Sequence, residues 1–327
     1  MGIDNRTYQA GEVVCDGRFR IERQLASAGT PTIYAAVDEQ SGSHCVIEWV
    51  AGQGNKSERR LKPLRHPGVL AVSEVLPCDD GHFLVSEPFE GESLSEYVAR
   101  KGAMDQPSAR AMLPRLLSGL EYLHGHDLIH TAFTPFNIVV DGAGELKIGG
   151  LGHCIRPGVP DSRPLEFVFC WSAPELSLGN ADQVGAWTDY YGLGATLYFM
   201  LTGLEPPSPV DITTMGFMAF KLDEDVSDLM RATIAHLLQP MPGNRPRALA
   251  QICQALRVRL PQYEQEQAET KKSFSMYSQF TFSAEAVSNS GYQPEEDTKE
   301  VVMEEPELLP EDAEAEDAEL IVPLWQA

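Results

Sequence analysis

Basic residues are scarce in this chain: 25 Lys and Arg stand against 48 Asp and Glu, a formal charge of −23 over 327 residues. Nucleic acid and anionic membranes repel such a polyanion, so neither is expected as a partner. Cysteine is sparse too. Cys15, Cys45, Cys78, Cys154, Cys170 and Cys253 lie far apart, with no CxxC pair and no His at zinc-ligand spacing. They read as reduced thiols of a cytoplasmic protein rather than as a metal or disulfide framework. Long apolar runs are missing. The most apolar stretch, Tyr190 to Leu204, is interrupted by three glycines and two threonines, short for a membrane span and suited to a buried helix. Met1 to Gly17 holds acidic residues and no apolar core, unlike a signal peptide.

What is present is a hydrophobic content of 43%, sufficient for a large core. Arg18–Leu25, Thr32–Val37, His44–Val50, Val69–Leu76 and His82–Ser86 alternate or run apolar with β-branched residues, which predicts five strands. Lys56–Leu64 is a charged helix candidate between them. The period then changes. Ser93 with Glu96 three residues on forms a capping signal, and Ala109, Met112, Leu113, Leu116, Leu117, Leu120 and Leu123 make a helical stripe. Ile138–Val140 and Leu146–Ile148 predict a hairpin, and helical patterns dominate from Pro174 to Leu260. The order implies an α+β chain with a β lobe followed by a helical lobe.

The organisation expected is an extension over 1–17, a domain over 18–260, a linker over 261–284 and a tail over 285–327. The tail holds fourteen Asp or Glu against Lys299 alone, a net of −13, and ends on the apolar Leu320–Trp325. So much charge with so little apolar surface predicts disorder. Ser273–Phe282, rich in Ser, Phe and Tyr, reads either as a phosphorylation or strand-addition segment or as a plain solvated linker. The terminal Leu320–Trp325 reads as an anchor for a partner groove, or as a segment that docks on its own domain.

Five anchors in order carry a resemblance: Leu64–Leu70 with His66-Pro67, Leu120–His124, Ala173-Pro174-Glu175, Asp189–Gly194, and Arg245 in Gly243–Pro246. Together they resemble the protein kinase family, in particular bacterial-type Ser/Thr kinases, over about residues 18–260. The resemblance implies a bilobal fold, with Glu175, Asp189 and Arg245 as structural residues and Arg245 paired to Glu175. Against the family's signatures the chemical positions differ. In the phosphate-covering loop Ala26, Ala28 and Pro31 stand at the glycine slots. Glu48, in Cys45–Glu48, stands at the phosphate-gripping lysine, and −1 for +1 reverses the field there. Ala132 stands at the catalytic base and Gly150, in Gly150-Leu151-Gly152, at the metal-binding aspartate.

The resemblance therefore implies a pseudokinase: no enzyme, no catalytic residue, no metal and no cofactor, with Glu48, Ala132 and Gly150 as altered positions. Asn137 survives at a magnesium-ligand position and reads as a loop-bracing amide or a remnant ligand. Phe89, in Val85–Glu90, offers an N–H where adenine would accept, a weak nucleotide contact. Phe167–Trp171 reads as packed on the large lobe or as an exposed docking face. The function implied is a scaffold or allosteric regulator in signalling, binding an active kinase or another signalling protein. The alternative is an atypical nucleotide-binding enzyme with altered cation or nucleotide geometry.

Overall fold

The computed structural model describes residues 7–25, 33–51, 60–78, 81–159, 165, 167–179 and 183–261. Residues 56–59 of the Lys56–Leu64 helix candidate, the glycine slots at 26–31, the linker from 262, the Ser273–Phe282 island, the acidic tail and Leu320–Trp325 lie outside them, and the described part of that candidate, residues 60–64, is a turn rather than an α-helix.

The fold is bilobal, a small antiparallel β lobe and a large helical one. The small lobe is one sheet of β1 (Val13–Val14), β2 (Phe19–Gln24), β3 (Ile33–Asp38), β4 (Ser43–Ala51), β5 (Val72–Cys78) and β6 (Gly81–Pro88), ordered β1-β2-β3-β4-β6-β5. Period two decides which side chains point inward. Phe19 and Ile21 are buried while Arg20 and Glu22 face water, and with Tyr34, Ile47, Trp49, Phe83 and Val85 they form the sheet's apolar core. Each large apolar side chain taken from water contributes about 1.5–3 kcal/mol.

One feature differs from the sequence expectation. The 1–17 segment adds the edge strand β1, with Val13 opposite Arg20 and Val14 opposite Phe19. Tyr8 is buried beside Tyr34 and Phe83, at ring distances of 5.7 and 5.4 Å. Two strand residues and one aromatic are too few to leave a periodic signal.

A second sheet joins β7 (Gly91–Ser93), β8 (Ile138–Asp141) and β9 (Leu146–Ile148) in that order. The helices are α1 (Leu94–Lys101), α2 (Gln106–Gly125), α3 (Ala186–Thr202), α4 (Pro209–Met215), α5 (Asp228–Leu237) and α6 (Leu249–Leu256). α1 starts where the sequence predicts, on a full capping box of Ser93 and Glu96. α3 is the buried helix foreseen in Tyr190–Leu204, apolar around most of its circumference. It lies so close to the loop over 130–137 that a Cβ at Gly192 would stand 2.2 Å from the Phe133 carbonyl oxygen.

The turn at His66-Pro67 ties the lobes together. Ile148 donates its N–H to the Gly68 carbonyl and Leu70 donates to the Ile148 carbonyl, each at 2.9 Å. No helix among the described residues is long and apolar enough to cross a membrane.

Candidate functional site

The frame of the site is a buried ion pair. Arg245 Nη1 and Nη2 donate to Glu175 Oε1 and Oε2 at 2.7 and 2.9 Å. Its other N–H groups reach the carbonyls of Gln239, Trp187 and Pro240, so all five guanidinium donors are satisfied. Thr188 Oγ1 also donates to Glu175 Oε1, at 2.9 Å. A buried pair is tolerable only when its remaining hydrogen-bonding groups are met this way. The pairing fixes the end of the segment over 167–178 against α3.

Asp189, in the first turn of α3, shapes the neighbouring loop. Its Oδ2 accepts the His130 N–H at 2.9 Å and His124 Nε2–H at 2.8 Å, and its Oδ1 accepts the Thr131 N–H at 2.8 Å. Thr131 is held in the left-handed region, φ 61, which a β-branched residue rarely adopts. Its hydroxyl donates to the His153 carbonyl, 2.9 Å, and His130 Nε2 donates to the Gly149 carbonyl, 2.7 Å. These bonds set Ala132, which is buried, beside Asn137. The Asn137 amide donates to the Ala132 carbonyl at 2.8 Å, and its own carbonyl accepts the Gly149 N–H at 2.8 Å. Gly150 follows with φ 66, packed against the Asn137 side chain.

Glu48 reaches this cluster from the small lobe. It is buried although it is a strand carboxylate. Oε2 accepts the Gly152 N–H at 3.0 Å and Oε1 lies 3.6 Å from His153 Nε2. A Cβ at Gly152 would stand 2.6 Å from Oε1 and 2.5 Å from Val50 Cγ2, so only glycine lets the strand and the turn Leu151–His153 approach this closely.

Phe89 requires a correction. Its N–H, expected to be open to an adenine, donates to the His44 carbonyl at 3.3 Å. The cause is register: the ladder between β4 and β6 closes with Cys45 opposite Pro88, which brings the next N–H onto His44. The Phe89 side chain packs on the apolar cluster of Leu25, Ile33, Val46, Leu70 and Val139.

Phe167–Trp171 is split between the two readings open from sequence. Trp171 is buried edge-on between Phe136 and Phe199, at 5.2 and 5.4 Å. Cys170 is buried, and burial pushes its thiol up to about 11, with the Glu205 and Asp211 carboxylates adding to the rise. Phe167 and Phe169 face outward, Phe169 being 61% exposed.

The structure thus brings Glu48, Ala132, Asn137 and Gly150 to one junction between the lobes and keeps Glu175, Asp189 and Arg245 as its frame. Sequence reasoning assigned no role to Gly152 or His153, placed His124 only as the end of the Leu120–His124 anchor, and saw Thr131 only as standing where the resemblance puts an arginine. Gly152 carried a signal as the second glycine of Gly150-Leu151-Gly152. The others are read only from what they touch. Among the described residues no cluster of three or more His, Cys, Asp or Glu could hold a metal ion.

A small antiparallel lobe joined to a helical lobe, with this junction between them, defines a kinase-type domain. The chain belongs to the protein kinase family: the family model described as protein kinase domain matches residues 20–256. It is similar to sperm motility kinase 2B of Mus musculus, 29% identical over 249 residues, covering 68% of this chain and 48% of that protein. It is similar to CBL-interacting protein kinase 17 of Oryza sativa subsp. japonica, 28% identical over 249 residues, covering 73% and 54%. A third relative, CBL-interacting serine/threonine-protein kinase 17 of Arabidopsis thaliana, is 26% identical over 247 residues, covering 70% and 57%. The chain spans about half the length of these relatives.

The comparisons overturn the expectation that the chain is no enzyme. The family it belongs to and the relatives it matches are named as kinases, which points to an enzyme. Those relatives come from mouse and plants, so they lend no support to a bacterial-type likeness.

Proposed function

We propose that the chain is a signalling member of the protein kinase family that works in the cytoplasm through a protein partner, as a scaffold or allosteric regulator. The observation that carries this is the outward pair Phe167 and Phe169 above buried Cys170 and Trp171. An aromatic side chain held in water on a fixed base forgoes the free energy that a partner's surface would supply. Two of the relatives are named as CBL-interacting kinases, which favours a protein partner here. Partner capture on the immobilised full chain tests the reading. Capture lost on changing Phe167 and Phe169 together to Ser supports it. Capture indifferent both to that change and to deletion of 285–327 refutes it.

A second reading concerns the chemistry at the junction of the lobes, and the kinase relatives favour it. Glu48, Ala132 and Gly150 stand at positions that the resemblance ties to nucleotide and metal. With a carboxylate from Glu48 and an amide from Asn137 there, a nucleotide and its cation would sit in an altered geometry. Titration of ATP and other nucleotides with Mg²⁺ or Mn²⁺ tests this by thermal shift, since a ligand of the native state raises its melting temperature. Metal-dependent stabilisation and transfer from γ-labelled ATP that depends on Glu48 or Asn137 support it. No shift with any nucleotide or metal counts against it.

A further inference from the structure

We propose that the turn from Met215 to Met218 is the centre of a docking surface for a basic, amphipathic segment of another protein. The inference rests on the partner-binding reading above and adds a place and a chemistry to it. Met218 is 82% exposed, Met215 52% and Phe217 48%, and Val210 on the same short helix is 69% exposed. α4 ends at Met215, Gly216 turns with φ 57, and a short 3-10 turn, Gly216–Ala219, follows at once. Three large apolar side chains are therefore displayed nearly consecutively.

Their base is fixed rather than frayed. A capping box of Ser208 and Asp211 starts α4, and Ile212 and Ala219 are buried beneath it. Phe217 meets Phe220 at 6.3 Å, and Phe220 meets Tyr198 of α3 at 6.2 Å. The Tyr198 hydroxyl accepts the Lys221 N–H at 3.3 Å. An ordered patch of two methionines and a phenylalanine suits a partner groove or helix, because thioether side chains adapt to varied apolar shapes.

Charge selects the occupant. Glu205, Asp211, Asp223, Glu224, Asp225 and Asp228 are exposed in the stretch from 204 to 228, against one exposed cation, Lys221. The next basic residue, Arg231, is committed to the carbonyls of Leu222, Asp223 and Val226. An anionic rim attracts a cationic segment and repels an anionic one. A second copy of this chain carries −23, and its own residues 285–327 carry −13. Both are repelled, whereas a segment with Lys or Arg on one face and Leu or Met on the other matches apolar centre and acidic rim together.

The test uses the full chain and a labelled synthetic helical peptide with Lys on one face and Leu on the other, beside a counterpart with Glu for Lys, read by fluorescence anisotropy. The Lys peptide is expected to bind, with affinity falling between roughly 50 and 200 mM salt, and the Glu peptide is expected not to bind. Met218→Asp with Phe217→Ser should weaken binding about tenfold or more, the usual effect of removing an apolar hot spot. Asp223→Asn with Asp225→Asn should weaken it less and flatten the salt dependence. Melting curves of the variants should overlay the parent's. Three results would overturn the proposal: no binding of the Lys peptide, equal binding by the Met218→Asp chain, or equal binding of the Glu peptide. Self-association in sedimentation that Met218→Asp abolishes would assign the surface to a second copy. Peptide affinity that rises sharply on deleting 285–327 would assign it to the chain's own tail. Partner capture by the full chain that survives Met218→Asp would spare the broader reading while this surface fell.

Discussion

The Glu48 carboxylate accepts the backbone N–H of Gly152 at 3.0 Å, joining a small-lobe strand to the turn that follows Gly150. The bond spans 104 residues of sequence and is buried. A carboxylate so placed satisfies a buried donor that would otherwise lack an acceptor, and it does so only because the partner lacks a side chain.

Glu48→Ala is accordingly expected to lose about 1–3 kcal/mol of stability, the cost of leaving a buried donor unmet. Gly152→Ala should lose a similar amount by a different route, because its Cβ would collide with both Oε1 and Val50 Cγ2. Glu48→Gln retains an acceptor oxygen and should lose less than either. Denaturant melts of the three variants check the order. Equal stability of Glu48→Ala and the parent would show that the bond does not hold the lobes.

The Arg245 and Glu175 pair gives a larger effect. Glu175→Gln, or Arg245→Met, leaves one buried charge without its partner and should cost about 3–5 kcal/mol. Replacing both at once by apolar residues should recover part of that loss, since the desolvation of the two ions disappears together. A double-mutant cycle read by chemical denaturation measures the coupling. Additive losses would mean that the contact at 2.7 and 2.9 Å contributes little beyond packing.

Asp189 accepts two backbone N–H groups and one from His124. Asp189→Asn replaces one accepting oxygen with an NH2 group that faces a donor, at a cost of about 1–3 kcal/mol. Thr131 should register the change first, because its left-handed backbone is held by Oδ1 and by the His153 carbonyl. Hydrogen exchange at the His130 and Thr131 amides should quicken in the variant more than exchange within α2. Uniform quickening throughout would indicate global destabilisation alone.

The legibility of this chain follows the length scale of each signal. The alternation in β2, the stripe along α2 and the Ser93 and Glu96 cap repeat over several residues, so those elements are legible in the sequence alone. The Glu175 and Arg245 pairing came from resemblance, 70 residues apart in sequence. What stayed hidden depends on single contacts between distant segments. Nothing local tells that Glu48 is buried, since a strand carboxylate reads as solvated until Gly152 is brought onto it. Nothing local tells that the Phe89 N–H is spent on His44, because that follows from the register of β4 and β6. The outward aim of Phe169 beside inward Trp171 likewise depends on the left-handed Cys170 between them, φ 67.

The last prediction concerns pH and the turn between the lobes. His66 is half-buried and stacked on Tyr122 at 4.9 Å, and its Nδ1 accepts the Gly68 N–H at 3.0 Å. A nitrogen that accepts cannot hold a proton. Burial, with the Arg115 guanidinium adding to it, lowers the imidazole from 6.5 to about 4. In the unfolded chain His66 takes a proton near its ordinary pKa of ~6.5. Between those values the unfolded state binds more protons, so stability falls as pH drops from about 6.5 to 4 and then levels for this residue. The slope from His66 should stay below about 1.4 kcal/mol per pH unit, since solvent screens a half-exposed ring. His66→Asn keeps an acceptor and does not titrate, so its stability curve should be flatter across that window while matching the parent near neutrality. Stability measured by urea denaturation at pH 4.5, 5.5, 6.5 and 7.5, values placed roughly across the window, separates the cases. Parallel curves for parent and variant would show that His66 does not couple the turn to protons.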